Sequence, residues 1–171
     1  MPDQKSLTTL EYNKIREIVA GYTGFSGGRD LALAMQPTTE LEQAREWQAE
    51  TREAVALFNG DSGVTIGGAR DVRRAADNAL RGFILPAEDF LAIQATIVAG
   101  RNLRRQLLRI EDRVPHLAAI ATLIEECRGI VSAITATLDE RGEVLDSASP
   151  RLARIRQEQR AVHARIQDKL Q

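Results

Sequence analysis

Basic side chains dominate residues 150–171, and they are the groups in this chain best suited to binding a charged ligand. Six of them stand against two acids, Glu158 and Asp168. Guanidinium and ammonium groups neutralise phosphates, and a helix of this length would extend about 33 Å along a nucleic-acid backbone. Arginine stems can equally flank an apolar seam and stay solvated. The candidate nucleic-acid contacts are Arg151, Arg154, Arg156, Arg160, Arg165 and Lys169.

An apolar seam runs through the same segment and predicts one continuous helix. Ser149 and Pro150 begin it, because serine caps free N–H groups and proline fits the first helical position. No Gly, Asn or Pro ends it, so we expect the helix to continue past Gln171 in a longer protein. An uncovered seam should pair with a neighbouring chain or fold back on the body. Its members, spaced by three, four or seven, are Leu152, Ile155, Val162, Ile166 and Leu170.

Four carboxylates in eight residues precede this helix: Asp139, Glu140, Glu143 and Asp146. Such a cluster could hold a divalent cation, but the spacing is not that of an EF-hand, whose acids follow a fixed loop pattern. The other interpretation is an ordinary turn, in which Asp146 and Ser147 cap the helix that follows.

Motifs of catalysis are absent from the sequence. The glycine-rich residues 60–71 lack the Lys and Ser/Thr of a phosphate-binding loop, which indicates a helix connection with Val64 and Ile66 turned inward. Asp71 should cap a short helix through Leu80. One cysteine, Cys127, and two histidines argue against a zinc site. We therefore assign no catalytic, cofactor-binding or metal-binding residue, and enzymatic activity of this chain stays uncertain.

A second group of arginines lies in the C-terminal half of a helix predicted to begin at Pro86. Cations near a helix C-terminus complement its dipole, and they can also form a patch that faces phosphates. Both interpretations stay open. The group comprises Arg101, Arg104, Arg105, Arg109 and Arg113.

Composition predicts an all-α fold. The chain has 171 residues, 43% hydrophobic and only 4% aromatic, with a formal charge of −1. The strongest core helix carries a stripe from Phe90 to Ile110. Another helix, with a capping box at Thr39 and Glu42, should reach Asn59 and expose an acidic face. That face comprises Glu40, Glu42, Glu46, Glu50 and Glu53.

The predicted organisation is a multi-helix core bundle over residues 1–149 and the start of a long C-terminal helix over residues 150–171. No apolar stretch approaches the length of a membrane span, so a cytoplasmic protein without membrane contact is the expectation.

Several motifs in sequence order resemble the N-terminal region of the second bacterial MutS paralogue family. They are LEYNKI at residues 10–15, QPTTELEQA, GGARDVR, LPAEDF and, most specifically, DERGEVLDSASPRLARIR at residues 139–156. The resemblance covers essentially the whole chain. Members are MutS-like ATPases that usually carry a C-terminal Smr nuclease domain.

This resemblance implies a parent protein that is a homodimeric, DNA-binding ATPase and endonuclease, using ATP and Mg²⁺. The family is linked to suppression of homologous recombination and to rescue of collided ribosomes, which makes ribosomal RNA a further partner. The resemblance places the ATPase and nuclease motifs beyond Gln171. Residues 150–171 would then enter the lever, the helical arm that leads to the nucleic-acid clamp, and this chain would be structural and coupling. The alternative is a stand-alone helical interaction or coiled-coil dimerisation module without a nucleic-acid role.

Overall fold

The protein is described here by a computed structural model, which covers residues 4–60, 63–64 and 67–170, and side chains of residues 5–60, 63–64 and 67–167. Within these ranges the chain forms α-helices, one 3-10 helix and no strand, which confirms the predicted all-α class. The helices are α1 Gln4–Thr9, α2 Tyr12–Gly21, α3 Ser26–Ala34, α4 Leu41–Asn59, α5 Arg73–Leu80, α6 Ala87–Leu108, α7 Pro115–Thr122, α8 Arg128–Thr137, the 3-10 helix Asp146–Ala148 and α9 Pro150–Leu170.

The main core lies where α6 meets α7. Leu107, Val114 and Ala121 are buried there, and partly buried side chains from α4 and the following loop pack against them. Val64 is one of these, so its predicted inward position is confirmed, whereas Ile66 lies outside the described residues. Within the described ranges, this core therefore contains residues from the middle of the chain only. The N-terminal helices and α9 pack through other contacts.

Proline residues lie at the start of both central helices, one of them the helix predicted to begin at Pro86. Pro86 precedes α6, whose first turn contains Glu88 and Asp89, and Pro115 is the first residue of α7. The N–H groups of residues 123 and 124 donate to carbonyls three residues back, which tightens the last turn and ends α7 at Thr122.

The predicted capping box at Thr39 and Glu42 is also wrong. Helix α4 begins at Leu41 without a side-chain cap. The hydroxyl of Thr38 instead accepts a hydrogen bond from the Glu40 N–H at 3.1 Å, one residue before the predicted cap. Helix α4 does reach Asn59, as the sequence indicates.

A polar junction connects the N-terminal helices to the start of α5. Arg73 donates to Asp71 Oδ1 (Nε, 2.8 Å) and to Asp30 Oδ2 (Nη2, 2.8 Å), while the Ser26 hydroxyl also donates to Asp71. These hydrogen bonds, from Arg73 first and Ser26 second, lower the pKa of Asp71. Asp71 also accepts from the Arg73 N–H at 3.2 Å, but the N-cap of α5 is Val72 and has no side-chain cap, so the capping role predicted for Asp71 is wrong.

The surface of the chain is large for its mass. Its 13393 Å² compares with about 8,300 Å² for a typical monomer of 18.9 kDa. Several large apolar side chains are strongly exposed: Ile84 is 98% exposed, Phe58 91% and Tyr22 88%. Such faces are typical of surfaces that other protein segments cover. Among the helices of the described chain, none combines the length and apolar character needed to cross a membrane.

Candidate functional site

A tight acidic turn, residues 138–145, leads from α8 towards the last helix. Leu138 and Val144 form an antiparallel bridge, and the Leu145 N–H donates to the Thr137 carbonyl at 2.8 Å. Gly142 has φ +82° and lies against α6, where a Cβ would come within 3.1 Å of the Ala87 Cβ. Both facts favour glycine at this position. The backbone of the turn therefore lies close against α6.

Asp139 orders this turn from within. Its Oδ1 accepts hydrogen bonds from the backbone N–H groups of Arg141 (2.9 Å) and Glu143 (2.8 Å). A carboxylate used in this way satisfies the backbone of the turn. The part of the chain that the structure describes contains no group of three or more His, Cys, Asp or Glu that could hold a metal ion.

Asp146 connects the turn to the second and third turns of α9. Its Oδ1 lies 2.5 Å from Arg156 Nη1 and its Oδ2 lies 2.6 Å from Arg160 Nη2. Arg156 Nη1 also donates to the Val144 carbonyl at 2.7 Å. We call these four residues, together with Ser149, the helix root. The root joins α9 to the acidic turn by charge-assisted bonds, the stronger class of protein hydrogen bond.

The capping role predicted for Asp146 and Ser147 is therefore wrong, because the 3-10 helix turns the Asp146 carboxylate towards the side of α9. The cap is Ser149, whose Oγ accepts from the Leu152 N–H at 3.2 Å. This confirms the start predicted from Ser149 and Pro150.

The two arginines change the acidity of Asp146. Hydrogen bonds from Arg156, and then from Arg160, lower the pKa of its carboxyl below the ordinary value of 3.8. A lowered folded-state pKa means that the contribution to stability is complete above the ordinary pKa and disappears as the pH falls through the folded value. The root is thus intact at neutral pH and weakens in acid.

We predict that the Asp146→Asn variant loses this pH dependence. The difference in free energy of unfolding between the unsubstituted chain and Asp146→Asn should shrink as the pH falls below 3.8, because both then lack the charge. Urea unfolding followed by circular dichroism between about pH 6 and pH 2 measures this difference in the free energy of unfolding. A difference that stays constant over this range would contradict the role assigned to Asp146.

The six basic residues predicted to contact nucleic acid have different surroundings in the structure. Arg156 and Arg160 bind Asp146, and Arg154 Nε lies 3.2 Å from Glu158 Oε1 on the exposed side of α9. Arg151 and Arg165 are exposed, with no carboxylate partner among the described side chains. The side chain of Lys169 lies outside the described residues. Nucleic-acid contact by this set stays a prediction.

The apolar seam of α9 is uncovered beyond the root. Leu152 is half-buried, but Ile155, Val162 and Ile166 are each about half exposed, at 48%, 53% and 51%. The prediction that the helix folds back on the body is therefore wrong for this chain. Pairing with another chain stays a prediction.

A second polar contact holds α4 to α7. Glu53 Oε1 lies 2.6 Å from His116 Nδ1, and its Oε2 accepts from the Leu117 N–H at 2.9 Å. Burial raises the pKa of Glu53, but the hydrogen bonds from Leu117 and His116 outweigh it, so the pKa is lowered overall. Glu53 is thus a cap for α7, and the prediction that it belongs to a solvated acidic face is wrong. No local sequence signal joins residues so far apart.

These observations define the class of protein region: an all-α body from which one long helix extends, held at its root by ion pairs. Three curated relatives, each named Endonuclease MutS2, are similar to it. The protein of Symbiobacterium thermophilum is 34% identical over 98% of this chain, that of Thermomicrobium roseum 36% over 96%, and that of Brevibacillus brevis 34% over 98%. No family model matches the chain.

The chain spans about a fifth of the length of these relatives, 21%, 21% and 22% respectively. The matches extend along almost all of this chain and confirm the resemblance seen in its motifs. By its sequence, the chain is similar to one part of these Endonuclease MutS2 proteins.

Proposed function

We propose that this chain is the structural and coupling part of a MutS-like ATPase and endonuclease that binds DNA. Its helical body and the start of its lever would transmit ATP-driven motion to a clamp around nucleic acid. The chain itself is not catalytic in this proposal. The observation that carries it is the helix root, where one carboxylate holds two successive turns of α9.

The root has the geometry that coupling requires. Asp146 follows a turn that lies close against α6 at Gly142, so force on the body reaches α9 through short bonds. Beyond Arg160 the described helix is free of the body, with Val162 and Ile166 about half exposed. A helix held at one end and free along its length can move as an arm.

The names of the relatives support the endonuclease part of this proposal. This chain matches about a fifth of each Endonuclease MutS2, so most of the length of those proteins lies outside the match. We propose that the parent protein is a homodimer that uses ATP and Mg²⁺, binds DNA and, on ribosomes, ribosomal RNA. Its roles would be suppression of homologous recombination and rescue of collided ribosomes. The exposed apolar faces of this region would pack against the rest of that protein.

Coupling predicts a nucleotide-dependent distance change that needs Asp146. In a full-length protein carrying this region, fluorophores on exposed Cys127 and on an Arg165→Cys substitution report the distance between the body and α9. Energy transfer should change when ATP binds, and Asp146→Ala should abolish this change while ATP hydrolysis continues, because the root is broken but the ATPase is untouched.

Glu158→Ala is the matched control, since it removes an exposed carboxylate from α9 outside the root. It should leave the energy-transfer change intact. If ATP binding does not change the energy transfer in the unsubstituted protein, the coupling proposal is contradicted. If such a protein also dimerises through Val162 and Ile166, the alternative of a coiled-coil dimerisation module is favoured, because those seam residues are uncovered.

A further inference from the structure

A cleft of about 630 Å³ lies between the C-terminal half of α6 and the start of α8. Five guanidinium groups and one carboxylate, Glu126, line it, although the whole chain has a formal charge of −1. No aromatic residue contributes to this lining. We call it the arginine cleft; its basic residues are Arg101, Arg104, Arg105, Arg109 and Arg128.

Complementing the helix dipole explains only part of this cluster, Arg105 in the last turn of α6 and Arg109 at its C-cap. The dipole acts on charges within the last turn of a helix, and Arg105 is the only basic residue in the last turn of α6. Arg101 lies about one turn further back. Arg101, Arg105 and Arg109 are instead spaced by four residues, which places them along one side of the helix about 6 Å apart. The spacing indicates a surface that meets a ligand along its length.

Internal ion pairs occupy only part of the cleft. Glu126 binds Arg104 Nη1 at 2.9 Å and also pairs with Arg128. Arg101, Arg105 and Arg109 have no such pair: among the described residues, none of the three lies within ion-pair distance of a carboxylate. Arg105 Nη2 donates at 2.6 Å to Asn102 Oδ1, a neutral acceptor that holds its side chain in position. Three positive charges in a row are therefore available to an anion.

We propose that the arginine cleft binds the phosphate backbone of double-stranded nucleic acid. A step of four helical residues, about 6 Å, is close to two base-pair rises of about 3.4 Å along the duplex axis. The planar guanidinium group of arginine can donate two hydrogen bonds to the oxygens of one phosphate group. Without aromatic residues the cleft has no platform on which unpaired bases could stack, so it contacts backbone and is insensitive to sequence. The choice of nucleic acid over an acidic protein segment rests on the proposed function, but the site is separate from α9.

The test uses the 171-residue chain and a fluorescent, mixed-sequence DNA duplex, measured by anisotropy over a range of salt. Replacing Arg101, Arg105 and Arg109 by glutamine should weaken binding about tenfold or more at low salt. It should also reduce the slope of log affinity against log salt by about 2 to 3, because up to three phosphate contacts disappear. The matched control, with glutamine at the exposed Arg29, Arg74 and Arg81, removes the same charge outside the cleft and outside α9 and should weaken binding by less than about threefold.

Lysine at the three cleft positions keeps the charge and the helix, and it should preserve the salt slope. If the triple glutamine variant folds poorly by circular dichroism, the single exchanges Arg105→Gln and Arg109→Gln, at exposed side chains, test the site, and each should reduce the salt slope by about 1. The proposal is overturned if the glutamine variants of the cleft bind like the unsubstituted chain or if the matched control weakens binding equally. It is also overturned if polyglutamate displaces the duplex as well as unlabelled DNA does, since an acidic protein segment is then the ligand. No ATP enters this experiment, so its failure is distinguishable from a failure of coupling.

Discussion

Replacing Leu107 by alanine is expected to lower the free energy of unfolding by about 2–5 kcal/mol, the cost of removing a large buried side chain and leaving a cavity. Leu107 is 7% exposed and packs with Val114 and Ala121 in the main core. A domain of this size is stable by about 5–15 kcal/mol, so the loss is a large part of the total. Urea unfolding followed by circular dichroism measures it.

Leu123→Ala is the matched control, because it removes the same atoms from a leucine that is 79% exposed just after α7. It should change the free energy of unfolding by no more than about 0.5 kcal/mol. Equal losses in the two variants would show that the junction of α6 and α7 is not the core that holds the chain together.

Helical periodicity predicts which face of α6 is apolar, but it does not predict how far a partner covers that face. Leu107 and Phe90 belong to the same stripe, yet Leu107 is buried and Phe90 is 37% exposed. Leu107 packs in the core that α7 completes, whereas Phe90 lines an open apolar cavity with Ile134 and Leu138. Burial depends on where the next helix crosses, and that position is set by tertiary contacts.

The start of α9 was predictable because Ser149 and Pro150 act locally. The role of Asp146 was not, since its partners lie ten and fourteen residues later. Arg156 and Arg160 resemble the other arginines of α9 in sequence, and only the direction of the 3-10 helix selects them. The same segment therefore contains one feature that local rules define and another that depends on the folded path of the chain.

The glutamates of the acidic face of α4 also differ in whether their contacts are local or tertiary. Glu42 pairs with Arg45 within its own helix, as exposed charges on a helix commonly do, and contributes little. Glu53 lies on the same helix but meets α7, more than sixty residues later. Its side chain is only 13% exposed. Charge patterns alone do not distinguish the two, because both are glutamates in one polar helix.

Replacing Glu53 by alanine is expected to lower the free energy of unfolding by about 1–2 kcal/mol, the upper range for losing a helix cap. The carboxylate accepts hydrogen bonds from the His116 N–H at 3.2 Å and from the Leu117 N–H at 2.9 Å, so its removal leaves both donors at the start of α7 without this partner. Urea unfolding gives the total loss, and hydrogen exchange at the Leu117 amide should show faster local opening.

Glu46→Ala tests whether the effect belongs to the cap, because Glu46 is an exposed glutamate on the same helix. It should leave both the unfolding free energy and the Leu117 exchange rate nearly unchanged. Glu53→Gln should fall between the two, since the amide oxygen can still accept a hydrogen bond but the charge that complements the α7 dipole is gone. If Glu46→Ala and Glu53→Ala cost the same, the bond from α4 to α7 contributes nothing specific, and packing around Leu117 alone holds the two helices together.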